Sequence, residues 1–219
     1  MKKAAFILFL FTCYHLAAQQ RNDSLIQQLD SIRSLDQEYR GQQEIVRAKF
    51  ANDTIELTRQ IDMLFKKMAA ADSANMIAIE QILEKYGWPS LESIGGLERS
   101  LTIFFVIQHA DLPNQQRYLP MVRQAVKDNK LRPSSLALLE DRVALKEKRK
   151  QLYGTQVMWN IKLNTYTMTP LEDPDNVDKR RAAIGLPPLD VYLQGFNMKW
   201  DLEAYKKSVQ LSSENNTIK

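Results

Sequence analysis

Residues 22–86 read NDSLIQQLDSIRSLDQEYRGQQEIVRAKFANDTIELTRQIDMLFKKMAAADSANMIAIEQILEKY, with no proline and a single glycine, Gly41. Leu25, Leu29, Ile32 and then Leu35 or Tyr39 recur at helical spacing. A second set, Val46, Phe50, Leu57, Ile61, Leu64 and Met68, steps by three, four and seven and gives a narrow apolar stripe. Asp53-Thr54-Ile55-Glu56 has the form of a capping box that would start a helix there. The stretch is compatible with one long helix or with two. Ser73 to Tyr86 reads as a further helix, stopped by Gly87-Trp88-Pro89, because glycine ends helices and proline disfavours helical geometry at Trp88.

The same texture continues downstream. Leu97 to His109 is strongly apolar, without turn residues, and reads as a buried helix. Pro113 opens a helix through Val126, and Arg132-Pro133-Ser134-Ser135 begins one running to about Lys150. After Tyr153 the residues become β-prone. Gly154 to Ile161 and Tyr166 to Thr169 form a short hairpin around Lys162 to Thr165. Asp173-Pro174 then starts a helix carrying Val177, Arg180 and Arg181 and ending at Gly185, and a short helix follows near Leu189 to Phe196. The fold class expected is mainly α: a multi-helix domain with a small late β-hairpin and an N-terminal helical extension. The expected boundaries are a signal peptide over 1–18, the extension over 19–70, the core domain over 71–198, and a C-terminal helix or frayed tail over 199–219.

The first residues, MKKAAFILFLFTCYHLAA, carry two lysines and then an apolar run too short to span a bilayer comfortably. We read a secretory signal cut near Ala18 and expect a periplasmic or secreted protein. A lipoprotein box at Leu10-Phe11-Thr12-Cys13 is disfavoured by Thr12. Removal of this segment, which holds two lysines and no acids, lowers the formal charge from +4 to +2. It also takes away Cys13 and His15, leaving His109 as the one histidine and no cysteine. A disulfide framework is thereby excluded, and one histidine without cysteine argues against the usual zinc or copper sites. Near-balanced charge without a basic stripe argues against nucleic acid as a partner. No P-loop, dinucleotide glycine fingerprint, G-x-S-x-G elbow or H-E-x-x-H is present, and no cofactor is expected.

What remains for function is a set of polar residues in apolar or turn-forming surroundings. His109 ends its helix in Gln108-His109-Ala110-Asp111, where the helix dipole and a nearby acid favour imidazolium and burial opposes it. In the helix from Ser135 to Leu145, Glu140 falls on the Leu136, Leu139, Val143 face, and Arg142 on that of Leu138 and Leu145, with Asp141 nearby. At least one of these charges must be buried, and a buried ion needs a partner. Asp36 and Arg40 lie one turn apart, which is support for a helix and no evidence of catalysis. Arg180 and Arg181 either answer the helix dipole or clamp a carboxylate or phosphate. Tyr153-Gly154-Thr155-Gln156 is a tight turn or a ligand contact.

Taken together these motifs resemble a family of uncharacterised bacterial proteins. Its pattern is D-Q-x-x-R, an asparagine-started helix into G-W-P, then Q-H-A, L-E-D-R, Y-G-T-Q and D-P-x-x-V-D-x-R-R. Here it is matched by Asp36, Gln37 and Arg40; Asn75; Gly87 to Pro89; Gln108 to Ala110; Leu139 to Arg142; Tyr153 to Gln156; and Asp173 to Arg181. The resemblance carries no reaction, but it implies that the polar motifs recur together, which favours one shared pocket.

Three functions follow as expectations. The first is a polar pocket for a small anionic or hydroxyl-rich ligand, bound by Gln108, Arg142, Tyr153, Gln156, Arg180 and Arg181. The second is a metal-independent, hydrolase-like enzyme with His109 as general acid or base and Glu140 or Asp111 as its carboxylate. The third is a helical interaction module that binds a partner or self-associates through residues 23–68.

Overall fold

The computed structural model describes residues 21–217, with side chains to residue 210. The expected signal segment, with Cys13 and His15, lies outside the described residues. The chain is mainly helical with one small antiparallel hairpin late in the sequence. The helices are α1 (Asp23–Glu38), α2 (Gln42–Lys49), α3 (Thr54–Tyr86), α4 (Leu97–His109), α5 (Leu112–Lys127), α6 (Pro133–Lys146), α7 (Val177–Ala183), α8 (Leu189–Gln194) and α9 (Leu202–Thr217). The strands are β1 (Val157–Asn160) and β2 (Thr165–Met168), and a 3-10 turn, Pro174–Asn176, leads into α7.

The residues from Thr54 to Tyr86 form one helix of 33 residues. Ser73 reads as a start signal in the sequence, yet its hydroxyl donates back to the carbonyl of Ala69 at 2.9 Å and caps nothing. Ala69, Ala70 and Ala71 before it are the strongest helix formers, so the chain runs through. Asp53 does cap α3, its carboxylate accepting from the Glu56 amide at 2.9 Å. The other half of the capping box is not made, because the Glu56 side chain turns to Arg59 and Gln60. Helix α6 stops at Lys146, four residues short of the expected end. Lys148 adopts a left-handed conformation (φ 60°), and the Arg149 amide closes on the Ala144 carbonyl at 2.7 Å.

Helix α1 packs on α3 and α4, α4 also on α5 and α6, and α5 on α6. Leu25, Leu29 and Ile32 of α1 meet Ile79 and Ile82 of α3, Ile103, Phe104 and Ile107 of α4, and Leu139 of α6 in the largest apolar cluster. Each such side chain contributes about 1.5–3 kcal/mol on full burial. The expected N-terminal extension therefore divides in two. Its first helix is part of the main core. The remainder forms a separate cluster, in which Leu57, Ile61 and Leu64 of α3 pack with Val46, Phe50 and the hairpin residues Trp159 and Ile161. Much of the apolar surface over residues 23–68 thus packs within the same chain, while Ile45, Ile55, Met63 and Phe65 stay exposed. A third small cluster, Leu171, Val177, Leu189 and Leu193, seats α7 and α8. No helix among the described residues is long and apolar enough to cross a membrane.

Polar struts tie these layers together. Asn75 is buried and its amide donates to the Ile32 carbonyl at 3.3 Å, linking α3 to α1. The Trp88 indole donates to Ser100 Oγ at 2.9 Å, which donates in turn to the Lys130 carbonyl at 2.6 Å. The hairpin pairs Val157 with Met168 through Asn160 with Thr165. Its turn ends on Asn164 in a left-handed conformation (φ 49°), which asparagine tolerates better than most residues.

Candidate functional site

Two helix ends meet at the site. The last turn of α1 carries Asp36, and α4 terminates at His109. The His109 Nδ1 lies 2.8 Å from Asp36 Oδ1. Asp36 is 2% exposed, whereas the His109 side chain keeps 16% of its surface. Arg40 follows α1 and reaches three acceptors: the Asp36 carbonyl at 2.6 Å, and both oxygens of Asp72 on α3 at 2.6 and 2.8 Å. Its Nη1 is also 3.2 Å from Asp36 Oδ1. Burial pushes the Asp36 carboxyl up, but the His109 hydrogen bond and charge, together with Arg40, outweigh it and hold the group below its usual range. An ionised Asp36 fixes the proton of a neutral imidazole on Nδ1 and leaves Nε2 for a ligand.

His109 lines an open hollow of about 380 Å³, together with Asp72, Ser73, Met76, Asp111, Asn114 and Lys146. Lys146 donates to the Ala110 carbonyl at 3.0 Å. Burial, and then the Arg142 charge one helical turn away, push its ammonium below the ordinary lysine value, against the pull of Asp111. Asp111 caps α5, accepting from the Asn114 amide at 3.0 Å. Behind this wall Arg142 donates from Nε to Gln156 Oε1 and from Nη1 to the Gln108 carbonyl, both at 3.2 Å. Burial first, and then the Arg40 charge, lower the Arg142 pKa. A guanidinium nonetheless stays cationic near neutral pH.

The expected residues thus fall into two groups. His109 and Asp111 line the hollow, and Gln108, Arg142 and Gln156 form a hydrogen-bonded string beside it. Glu140 sits apart, paired with Arg123 at 2.9 Å on the outer face of α6. Tyr153, Arg180 and Arg181 belong to a separate assembly around the loop from Gln151 to Gln156. There the buried carboxylate of Asp141 accepts from the amides of Leu152 (2.6 Å), Tyr153 (3.0 Å) and Thr155 (2.9 Å), and from Thr155 Oγ1 (2.8 Å). On the loop's opposite polarity, Arg180 donates to the Leu152 carbonyl at 2.8 Å and Arg181 to that of Tyr153 at 2.6 Å. The Tyr192 hydroxyl donates to the Thr155 carbonyl at 2.8 Å. Arg181 is fully buried, and Tyr192 lies under its guanidinium with 4.9 Å to the ring centroid.

The partners that sequence reasoning did not name are Asp36 as the carboxylate of His109, Asp72 and Lys146. Asp36 and Arg40 were visible as an i,i+4 pair. Asp72 and Lys146 carried no signal beyond their charge. Asp36, Asp72 and His109 also offer ligand atoms within 4.8 Å of one another, a spacing a divalent cation could use. Arg40 already supplies positive charge to both carboxylates.

No curated protein and no solved structure matches the chain. A family model does, over residues 23–205, a span that takes in Asp36, Asp72, His109, Arg142 and the Gln151 to Gln156 loop. The chain therefore belongs to DUF6624, a family of unknown function.

Proposed function

We propose that this is an exported protein that binds a small anionic ligand in the hollow beside His109. The observation that carries the reading is that two cations at the site, Arg142 and Lys146, form no ion pair within 4.0 Å among the described residues. The formal charges of Arg40, Arg142 and Lys146 nonetheless balance those of Asp36, Asp72 and Asp111. Arg142 is part-buried, and Arg40 stands near enough to lower its pKa. Taking a cation out of water without a counter-charge is expensive, and a bound carboxylate or phosphate offsets that penalty. Asn114, Ser73 and His109 Nε2 supply neutral hydrogen bonds to the rest of such a ligand.

Calorimetric titration of the full chain with orthophosphate, citrate and malate tests this. R142A and K146A should each weaken binding about tenfold, equivalent to about 1.4 kcal/mol. Lys146 makes one hydrogen bond, to the Ala110 carbonyl, so K146A lowers the melting temperature by a few degrees at most. If neither variant alters binding and R142A only lowers the melting temperature, Arg142 is a strut between α4, α6 and the loop. For export, the expected outcome is a periplasmic or secreted form whose N-terminus begins near Gln19.

A second reading rests on the 2.8 Å contact between His109 and Asp36. A histidine oriented by a carboxylate at the wall of an open hollow is the arrangement used for general acid–base catalysis. On this reading His109 Nε2 takes a proton from water as it attacks an ester or phosphoester, and Lys146 and Arg142 stabilise the developing negative charge. H109Q should abolish turnover of nitrophenyl acetate or nitrophenyl phosphate while leaving anion affinity within a few-fold. Absence of turnover in the wild-type chain removes the catalytic reading and leaves the binding one.

A further inference from the structure

A second cleft lies away from His109, where α2, the hairpin and the turn after α8 converge. Its volume is about 300 Å³, at the lower end of the range for small-molecule sites. The guanidinium carbon of Arg47 on α2 lies 4.0 Å from the Trp159 ring centroid and 5.5 Å from that of Tyr166. Its Nη1 also donates to the Tyr166 hydroxyl and to Glu44 Oε1, the latter at 2.7 Å. Phe196 meets Tyr166 edge-on with ring centroids 5.2 Å apart. The aromatic surfaces are therefore held in place before any ligand arrives, which lowers the ordering cost of binding.

The charge of the cleft is balanced, because Arg47 and Glu44 are paired. The Glu44 side chain is 77% exposed, and its free lone pairs accept hydrogen bonds at the rim. Asn164 takes the Trp159 indole N–H on its Oδ1 at 3.2 Å, leaving its amide nitrogen to donate outward. Asn197 adds a second exposed amide to the lining. An ion finds no net counter-charge here. A purely apolar ligand would strip water from a carboxylate and two amides without replacing their hydrogen bonds. A pyranose ring satisfies both demands, because its C–H face can lie on Phe196, Arg47 already covering Trp159, while its hydroxyls meet amides and a carboxylate. From this juxtaposition of fixed aromatic walls, a cancelled charge pair and an amide rim, we infer that the cleft binds a neutral saccharide.

The test follows indole and amide signals by NMR in the ¹⁵N-labelled full chain, titrated with maltotriose, cellotriose and chitotriose. At least one should shift the Trp159 indole saturably. F196A and N197A should each weaken that binding about tenfold. Asn197 is exposed but its backbone is left-handed (φ 55°), so N197G accompanies N197A and removes the amide without backbone strain even if F196A does not fold. H109Q should leave it unchanged, which separates this cleft from the His109 hollow. Failure of all three sugars to move Trp159 at millimolar concentration overturns the inference. So does undiminished binding by N197A and E44Q, or stronger saturation of the same signals by adenosine or a tripeptide.

Discussion

Replacing Asp141 removes the acceptor on which the loop from Leu152 to Thr155 is built. The carboxylate is 0% exposed and takes three backbone amides and one hydroxyl. A hydrogen bond to a charged acceptor contributes about 1.5–3 kcal/mol, and a buried donor left without a partner costs about 1–3 kcal/mol. In D141A three amides lose their acceptor together. Partial collapse and entry of water return some of the loss, so the expected destabilisation is about 4 kcal/mol. At about 2–4 °C per kcal/mol for a chain of this size, the melting temperature falls by about 8–16 °C. D141N separates charge from geometry. Its carbonyl oxygen can still serve Leu152 and Tyr153, but its NH₂ group faces the Thr155 amide, donor against donor, so about half the loss is expected. Urea denaturation with an unchanged m-value gives the energies, and hydrogen exchange at Leu152, Tyr153 and Thr155 locates them. A loss below about 1 kcal/mol in D141A, with those amides still protected, would refute the reasoning.

Gly154 has φ +69°, and a Cβ there would lie 2.9 Å from Met168 Cε and 3.0 Å from Leu189 Cδ1. G154A is therefore expected to destabilise by about 1–3 kcal/mol in chemical denaturation. Leu29 is 0% exposed in the main core and Ile55 is 86% exposed on α3. L29A should lose about 2–5 kcal/mol and I55A less than about 0.5 kcal/mol, and similar losses would show that α1 is not part of the core. Because Asp36 ionises below its ordinary value of 3.8, its contribution is complete above that pH and disappears as pH falls through the lower folded value. The stability gap between wild type and D36N should thus be constant near neutrality and begin to close below about pH 4. A gap that does not change with pH would show that the His109 and Arg40 contacts do not act on the ionised form.

Much of the architecture was legible because helical periodicity survives in α1, because α4 is an apolar run without turn residues, and because Asp53, Pro113 and Pro133 mark helix starts by local chemistry. The continuity of α3 was not. Ser73 looks the same to a reader of sequence whether it caps a helix or bonds backward within one. The buried charge in α6 was expected from the breadth of its apolar surface, but its identity was hidden. Ala137, Asp141 and Ala144 form a third inward face, and alanines too small to register as a stripe leave the room that the loop occupies. The site was legible only in fragments. Asp36 and Arg40 appeared as neighbours on a helix, while the contact that gives Asp36 its role spans 73 residues and arises from packing α1 on α4. Arg180 and Arg181 showed cationic character at the right helix end, and no local pattern says that they hold carbonyls of a preceding loop.

That loop has a consequence for biosynthesis. Its amides answer to α6, which precedes it, and its carbonyls to α7 and α8, which follow it. A nascent chain that has emerged as far as the hairpin holds Asp141 but lacks Arg180, Arg181 and Tyr192, so the turn cannot reach its final form until the later residues leave the ribosome. The closing act of maturation falls near the C-terminus. A stalled chain ending before Arg180 should be cut by protease between Gln151 and Gln156, at a bond that the finished protein shields.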